Sequence, residues 1–168
     1  VLFYWANGYR KKSFIFTLTL IFLFGFLVEL IGVQYKFIFG DYSYGNALGL
    51  KIFQTPLIIG VNWINLSLAC FGISSFFVRN NFLVALIAST LMVLTDFIIE
   101  PLSGLLDFWY WSGNQIPLQN YIGWFLVSLL IQLFLVRSKV ELKIQLCFAL
   151  LISQIIFFLI QYINHGLF

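Results

Sequence analysis

The sequence predicts an all-α fold, a polytopic integral membrane bundle of about five transmembrane helices, and three observations carry that prediction. Of 168 residues, 62% are hydrophobic and 9% charged, where a soluble domain carries about 25% charged residues. Five stretches, about 13–35, 54–78, 82–100, 117–136 and 144–163, each supply the roughly 20 mainly apolar residues that a crossing needs. The cations then fall on alternate sides. Arg10, Lys11, Lys12, Arg79, Arg137, Lys139 and Lys143 share one side, against Lys36 and Lys51 on the other.

The first span carries only Glu29 as a charge, the third only Asp96 and Glu100, and the second and fifth none. Links at 79–81 and 137–143 are short; those at 36–53 and 101–116 are longer. With no repeat and no linker, residues 1–168 read as a single transmembrane domain. The chain starts at Val1, and VLFYWANGY reads as the closing turns of an apolar helix whose beginning is absent, so an N-terminal truncation is expected. Positive loops stay in the cytoplasm. That rule places the Arg10–Lys12 end and both short links there, with the two long links and all three intramembrane acids outside. The expected location is the bacterial inner (cytoplasmic) membrane, with the polar site on the non-cytoplasmic side.

Composition excludes several functions. The 21 Phe, 8 Tyr and 5 Trp against 9 Lys or Arg and 6 Asp or Glu leave a soluble enzyme without polar cover. A net charge of +3 with one dense basic run argues against nucleic acid as a partner. His165 is the one histidine, too few for a zinc, haem or di-iron site built on histidines, and no metal is expected. Cys70 and Cys147 lie in apolar runs, where they behave as small hydrophobes.

An intramembrane carboxylate costs about 2.5–3.5 kcal/mol at the helix centre and is a functional hypothesis by default. Asp96 and Glu100, at i and i+4, share a helix face. Their mutual repulsion favours one of them keeping its proton, an acid beside a base. The plainer account, that these acids snorkel or pair with Lys36 or Lys51, stays open. Pro101 restricts the backbone before it, so the third helix is expected to end or kink at Glu100. The long links, FGDYSYGNALG at 39–49 and DFWYWSGNQIPLQN at 107–120, have the composition of a lined cavity. Tyr42, Tyr44, Trp109 and Trp111 suit either such a cavity or an interfacial belt, whereas Trp5, Tyr9 and Tyr162 are read as belt residues. Asn62, Asn65, Gln132, Gln145 and Gln154 are expected in interhelical hydrogen bonds, Gly25 and Gly32 in close helix packing. Asn120, at the mouth of the fourth helix, is a cavity candidate.

The DxxxE pair is similar to one in aromatic prenyltransferases. Their diphosphate site needs a second acidic motif and several cations, and the outer side offers two lysines. Ion transport would need acids through the cytoplasmic half, which has none.

Three stretches carry a closer likeness: VELIGVQYKFIFGDYSYGNALG at 28–49, TPLIIGVNW at 55–63 and TDFIIEPLSGLLDFWYWSGNQIPLQNYIGWF at 95–125. In order and spacing the chain resembles the membrane carotenoid biosynthesis family of carotenoid 1,2-hydratases, the γ-carotene 1′-hydratase and bisanhydrobacterioruberin hydratase type. Positions matching its pattern are Glu29, Gly32, Gly40, Tyr42, Tyr44, Pro56, Trp63, Asp96, Pro101, Trp109, Trp111, Pro117, Asn120, Gly123 and Trp124. Glu100 replaces the usual Asp before Pro101, which keeps the acid; Asp107-Phe108 stands where Gly-Tyr is common. The likeness covers roughly residues 28 to 136, and members of the family usually carry further helices before this point.

The resemblance implies addition of water across the terminal 1,2 double bond of an acyclic carotenoid end, giving a tertiary alcohol without a redox or nucleotide cofactor. The substrate is then a carotenoid of the lycopene or γ-carotene type, reached through the lipid bilayer, with other carotenoid enzymes as candidate neighbours. Hydrating such an alkene takes a strong proton donor, tolerance of a tertiary cation and a held water. Asp96 is expected as the acid, with Glu100 or Glu29 ionised to activate the water. Tyr42, Tyr44, Trp63, Trp109, Trp111, Asn120 and Trp124 are expected to bind substrate, their aromatic faces stabilising the cation. Two alternatives remain: a lycopene-cyclase-like activity, which begins with the same protonation, and a non-catalytic carotenoid-binding subunit.

Overall fold

The computed structural model describes residues 12–138, 140 and 142–167. Trp5, Tyr9, Arg10, Lys11 and Lys139, used above for the belt and the topology, and the apolar stretch at 1–9 lie outside the described residues. Among the described residues five α-helices follow one another: α1 Lys12–Tyr35, α2 Ile58–Phe77, α3 Asn81–Ser103, α4 Leu118–Ser138 and α5 Ile144–Asn164. Each is long and apolar enough to cross a membrane. A helix satisfies its own backbone, the requirement that hydrocarbon imposes on a spanning segment. The expected spans are met to within a few residues, with two differences. Residues 54–57 belong to a hairpin before α2, and α3 does not end at Glu100 but continues through Pro101 to Ser103. Membrane helices tolerate proline because neighbouring groups satisfy the freed backbone.

α2 is the most buried of the five and α5 the least. The short link 78–80 turns the chain directly from α2 into α3, and Asn80 caps α3 by accepting from the amides of Phe82 and Leu83 at 3.0 and 3.1 Å. Such a cap contributes about 1 kcal/mol. Gly25 brings α1 against α2: a Cβ there would lie 2.5 Å from the Trp63 ring. Gly32 serves a different purpose from the expected helix contact, since its missing Cβ makes room for Phe39 and the Tyr42 hydroxyl in the following link. Gln132 donates to the Ser67 carbonyl at 3.1 Å and Gln154 to Asn62 at 3.4 Å, so these amides do join helices. Tyr162 is also tied inward, donating to the Ile98 carbonyl at 3.0 Å. Cys70 and Cys147 are buried free thiols.

The long links contain short strands that the sequence reading did not place: β1 Tyr42–Tyr44, β2 Lys51–Ile52, β3 Thr55–Pro56 and β4 Trp109–Trp111. β2 and β3 form a small hairpin. β1 and β4 pair antiparallel, with Tyr42 opposite Trp111 and Tyr44 opposite Trp109. This ribbon joins the two long links over the ends of α1 and α3.

Candidate active site

Side chains alternate along a strand, so the Tyr-Ser-Tyr and Trp-Tyr-Trp triplets each put two aromatic rings on one face of the ribbon. Ser43 and Tyr110 take the other face. The four inward rings touch: Tyr42 and Trp111 have centroids 5.1 Å apart, and Tyr44 and Trp109 6.2 Å. Each strand then serves one acid. Tyr42 and Tyr44 donate their hydroxyls to Oε2 of Glu29 at 2.6 and 2.8 Å. Trp109 and Trp111 donate their indoles to Oε2 of Glu100 at 3.1 and 2.6 Å. Burial, and then the Glu29 carboxyl beside them, pushes both tyrosine hydroxyls well above the usual phenol range. They are therefore neutral donors at physiological pH.

Below the ribbon, α2 and α4 complete the network. Trp63 of α2 donates to Oε1 of Glu29 at 3.1 Å and stacks on Trp124 of α4, centroids 4.4 Å apart. The Asn120 amide nitrogen donates to Oδ2 of Asp96 and to Oε1 of Glu100, each at 2.9 Å. One amide therefore holds both acids of the i, i+4 pair. Glu29, Asp96 and Glu100 are 4%, 0% and 3% exposed, so none of them snorkels. Nor does either outer lysine reach them. Lys36 pairs with Asp41 at 2.8 Å, and Lys51 donates to the Tyr44 carbonyl at 2.9 Å.

The network lines a cavity of about 30 Å³, room for a water or two. Glu29 and Glu100 line it, with Asn120 and the inward aromatic rings; Asp96 does not. Asp96 lies behind Asn120, and its Oδ1 has no hydrogen-bond partner among the described residues. Hydrogen-bond supply is thus unequal. Glu29 and Glu100 each accept three donors, Asp96 one. Every sequence candidate is brought into this one network, drawn from α1, α2, α3, α4 and the ribbon.

The profile of carotenoid biosynthesis proteins matches residues 1–167. This chain belongs to the carotenoid biosynthesis protein family. It is similar to the bisanhydrobacterioruberin hydratase of Haloarcula japonica, 29% identical over 117 residues that cover 62% of this chain and 38% of that protein. The chain therefore matches well under half of that relative's length. No solved structure matches.

The roles of Phe39 and Asp107 in this carotenoid biosynthesis protein escaped the sequence reading. Phe39 is 1% exposed and lines the cavity; its ring fills the space left by the missing side chains of Gly32 and Gly123. Asp107, read as a departure from the family pattern, anchors the link instead. It accepts from the Asn46 amide at 2.9 Å and the Tyr110 hydroxyl at 2.8 Å.

Proposed function

We propose that this chain carries the active site of a carotenoid hydratase, adding water across the terminal 1,2 double bond of an acyclic carotenoid end group. The observation that carries the reading is the cavity with two carboxyls facing it, a third behind, and aromatic rings around it. An alkene protonation needs such a set: a proton held out of bulk water, π faces toward the cation and a base for the water.

Asp96, with one donor and a free oxygen, is the carboxyl suited to storing the proton. Glu100, on the same Asn120 nitrogen and facing the cavity, delivers it. The proton adds to the less substituted alkene carbon and the π pair becomes the new C–H bond, leaving a tertiary cation. Tyr42, Trp111, Trp63 and Trp124 face that charge. Water in the cavity forms the C–O bond to the cation and gives its proton to Glu29, the other carboxyl that lines the cavity. Return of that proton to the Asp96–Glu100 pair closes the cycle, so the net reaction consumes one water and no proton. No redox or nucleotide cofactor enters these steps. The distribution of Lys12, Arg79, Arg137 and Lys143 against Lys36 and Lys51 supports a site on the non-cytoplasmic side of the bacterial inner membrane.

Expression in a host that accumulates lycopene or γ-carotene tests the reading. A more polar product heavier by one water is expected, and it should be absent in Asp96→Asn and Glu100→Gln. An isomeric ring product would transfer the site to a cyclase. Unchanged pigment bound to intact protein, with binding insensitive to both acid substitutions, would make the chain a carotenoid-binding subunit.

A further inference from the structure

Two grooves lie outside the cavity on one seam of the bundle, between α4 on one side and α1 with the link that follows it on the other. The outer groove, about 440 Å³, runs between Phe37 and Ile38 on one side and Leu118, Ile122 and Leu126 on the other. The inner groove, about 350 Å³, runs between Leu20 and Phe24 of α1 and Leu130 and Phe134 of α4. On α4 these residues recur every fourth position from 118 to 134, which makes one winding apolar stripe about 24 Å long at 1.5 Å per residue. Leu118, Ile122, Leu126 and Leu130 are all more than half exposed along it. α1 meets α4 far more loosely than α3 does.

The seam adjoins the cavity at its outer end. A Cβ on Gly123 would lie 2.6 Å from the Ile38 carbonyl and 2.9 Å from the Phe39 ring, so α4 touches the chain there with nothing between. Ile38 faces the groove and Phe39 the cavity; the segment joining them is the wall. The Gln119 amide, donating to the Phe37 carbonyl, ties that wall to α4.

We infer that the α1–α4 seam binds the polyene chain of the carotenoid, stretched along α4, with Phe39 as the gate whose displacement widens the cavity to admit the end group. The inference rests on the hydratase reading for the identity of the occupant. A cavity with room for a water or two cannot hold the body of a long polyene, and the apolar space that borders it is this seam. A substrate dissolved in the bilayer arrives from the side, which a seam between two helices permits and the polar ribbon above does not. The almost wholly apolar lining of both grooves suits a hydrocarbon chain.

The test uses the full chain purified from a host that accumulates an acyclic carotenoid. Ile122→Trp, Leu126→Trp and Leu130→Trp fill the stripe, and Leu94→Trp, on the exposed face of α3, is the control. Pigment retained per protein is read by absorbance, separately from hydrated product. Wild type and Leu94→Trp should retain polyene, and the stripe variants at least tenfold less, with their yield in the membrane unchanged. Stripe variants that retain pigment like wild type, or a wild type that retains none, would overturn the inference. So would a change in oligomer size with pigment untouched, which would give the seam to a second copy. Retention that depends on the stripe while wild type forms no hydrated product would sink the hydratase reading and leave the seam standing.

Discussion

Trp111 donates its indole hydrogen to Oε2 of Glu100 across 2.6 Å, and this bond joins a strand outside the bundle to a carboxyl within it. A hydrogen bond to an ionisable group contributes roughly 1.5–3 kcal/mol. Trp111→Phe keeps an aromatic ring and removes the donor, so hydrated product per protein should fall about 10- to 100-fold. Ser43→Ala, on the opposite face of the ribbon, should stay near wild type. Equal losses in the two would show that the ribbon matters as a whole and that the bond does not.

Asn120 is the shared donor for Asp96 and Glu100. Asn120→Leu, similar in size, strips Asp96 of its one donor while Glu100 keeps two. The expected result is at least a 100-fold loss of product, with stability lowered by about 1–3 kcal/mol because a buried acceptor is left unpaired. Asn120→Asp sharpens the test. A carboxyl there donates only when protonated, so part of the activity should return as the pH is lowered, which a merely structural role would not produce. Product formation across pH 5 to 8 measures it.

The two predictions draw on relationships of different visibility in the sequence. The five helices were legible because apolar length is a local property. That Asp96 and Glu100 share a face was legible too, since helical periodicity fixes it. The ribbon was not, although Tyr-x-Tyr and Trp-x-Trp carry the period of two, because its strands are three residues long and lie more than sixty positions apart. Of the two outcomes expected at Pro101, an end or a kink, the end is ruled out, since Leu102 and Ser103 follow in the same helix. The suggested ion pairs failed for another reason. Lys51 found a backbone carbonyl and Lys36 a neighbouring acid in its own link, and opposite charge alone did not decide between partners. Asn120 was recognised as a mouth residue, but its double role depends on the register of α4 against α3, which no single segment encodes.

Gly25 sets where Trp63 stands, and with it one of the three donors to Glu29. In Gly25→Ala the new methyl would meet the Trp63 ring at 2.5 Å, so the ring or the helix must shift. Overpacking of this kind typically costs about 1–3 kcal/mol. We expect a lower melting midpoint in detergent and a changed Trp63–Trp124 stack, seen as a shift in near-ultraviolet circular dichroism. Gly113→Ala, with no side chain near its Cβ but a positive φ, should leave that spectrum unaltered even if it costs stability. Identical spectra for wild type and Gly25→Ala would refute the placement of Trp63.

The ribbon's own anchor titrates in a predictable direction. The Tyr110 hydroxyl, and then the Asn46 amide, donate to Asp107 and hold its carboxyl below the usual carboxylate range. A value depressed by folding means that the ionised form is bound more tightly in the folded protein. The stabilisation is complete above the unfolded value of about 3.9 and is lost as the pH falls through the lower folded value. Acidification below about pH 4 should therefore loosen the 45–47 segment from β4 and disturb Trp109 and Trp111. Asp107 has a φ of 55°, a conformation that Asn also adopts readily, so Asp107→Asn changes the charge and spares the backbone. In that variant the segment is loosened already at pH 7, and the part of the tryptophan emission change that belongs to this acid disappears between pH 5 and 2. Superimposable acid titrations of wild type and Asp107→Asn would mean that the anchor does not depend on the charge of Asp107.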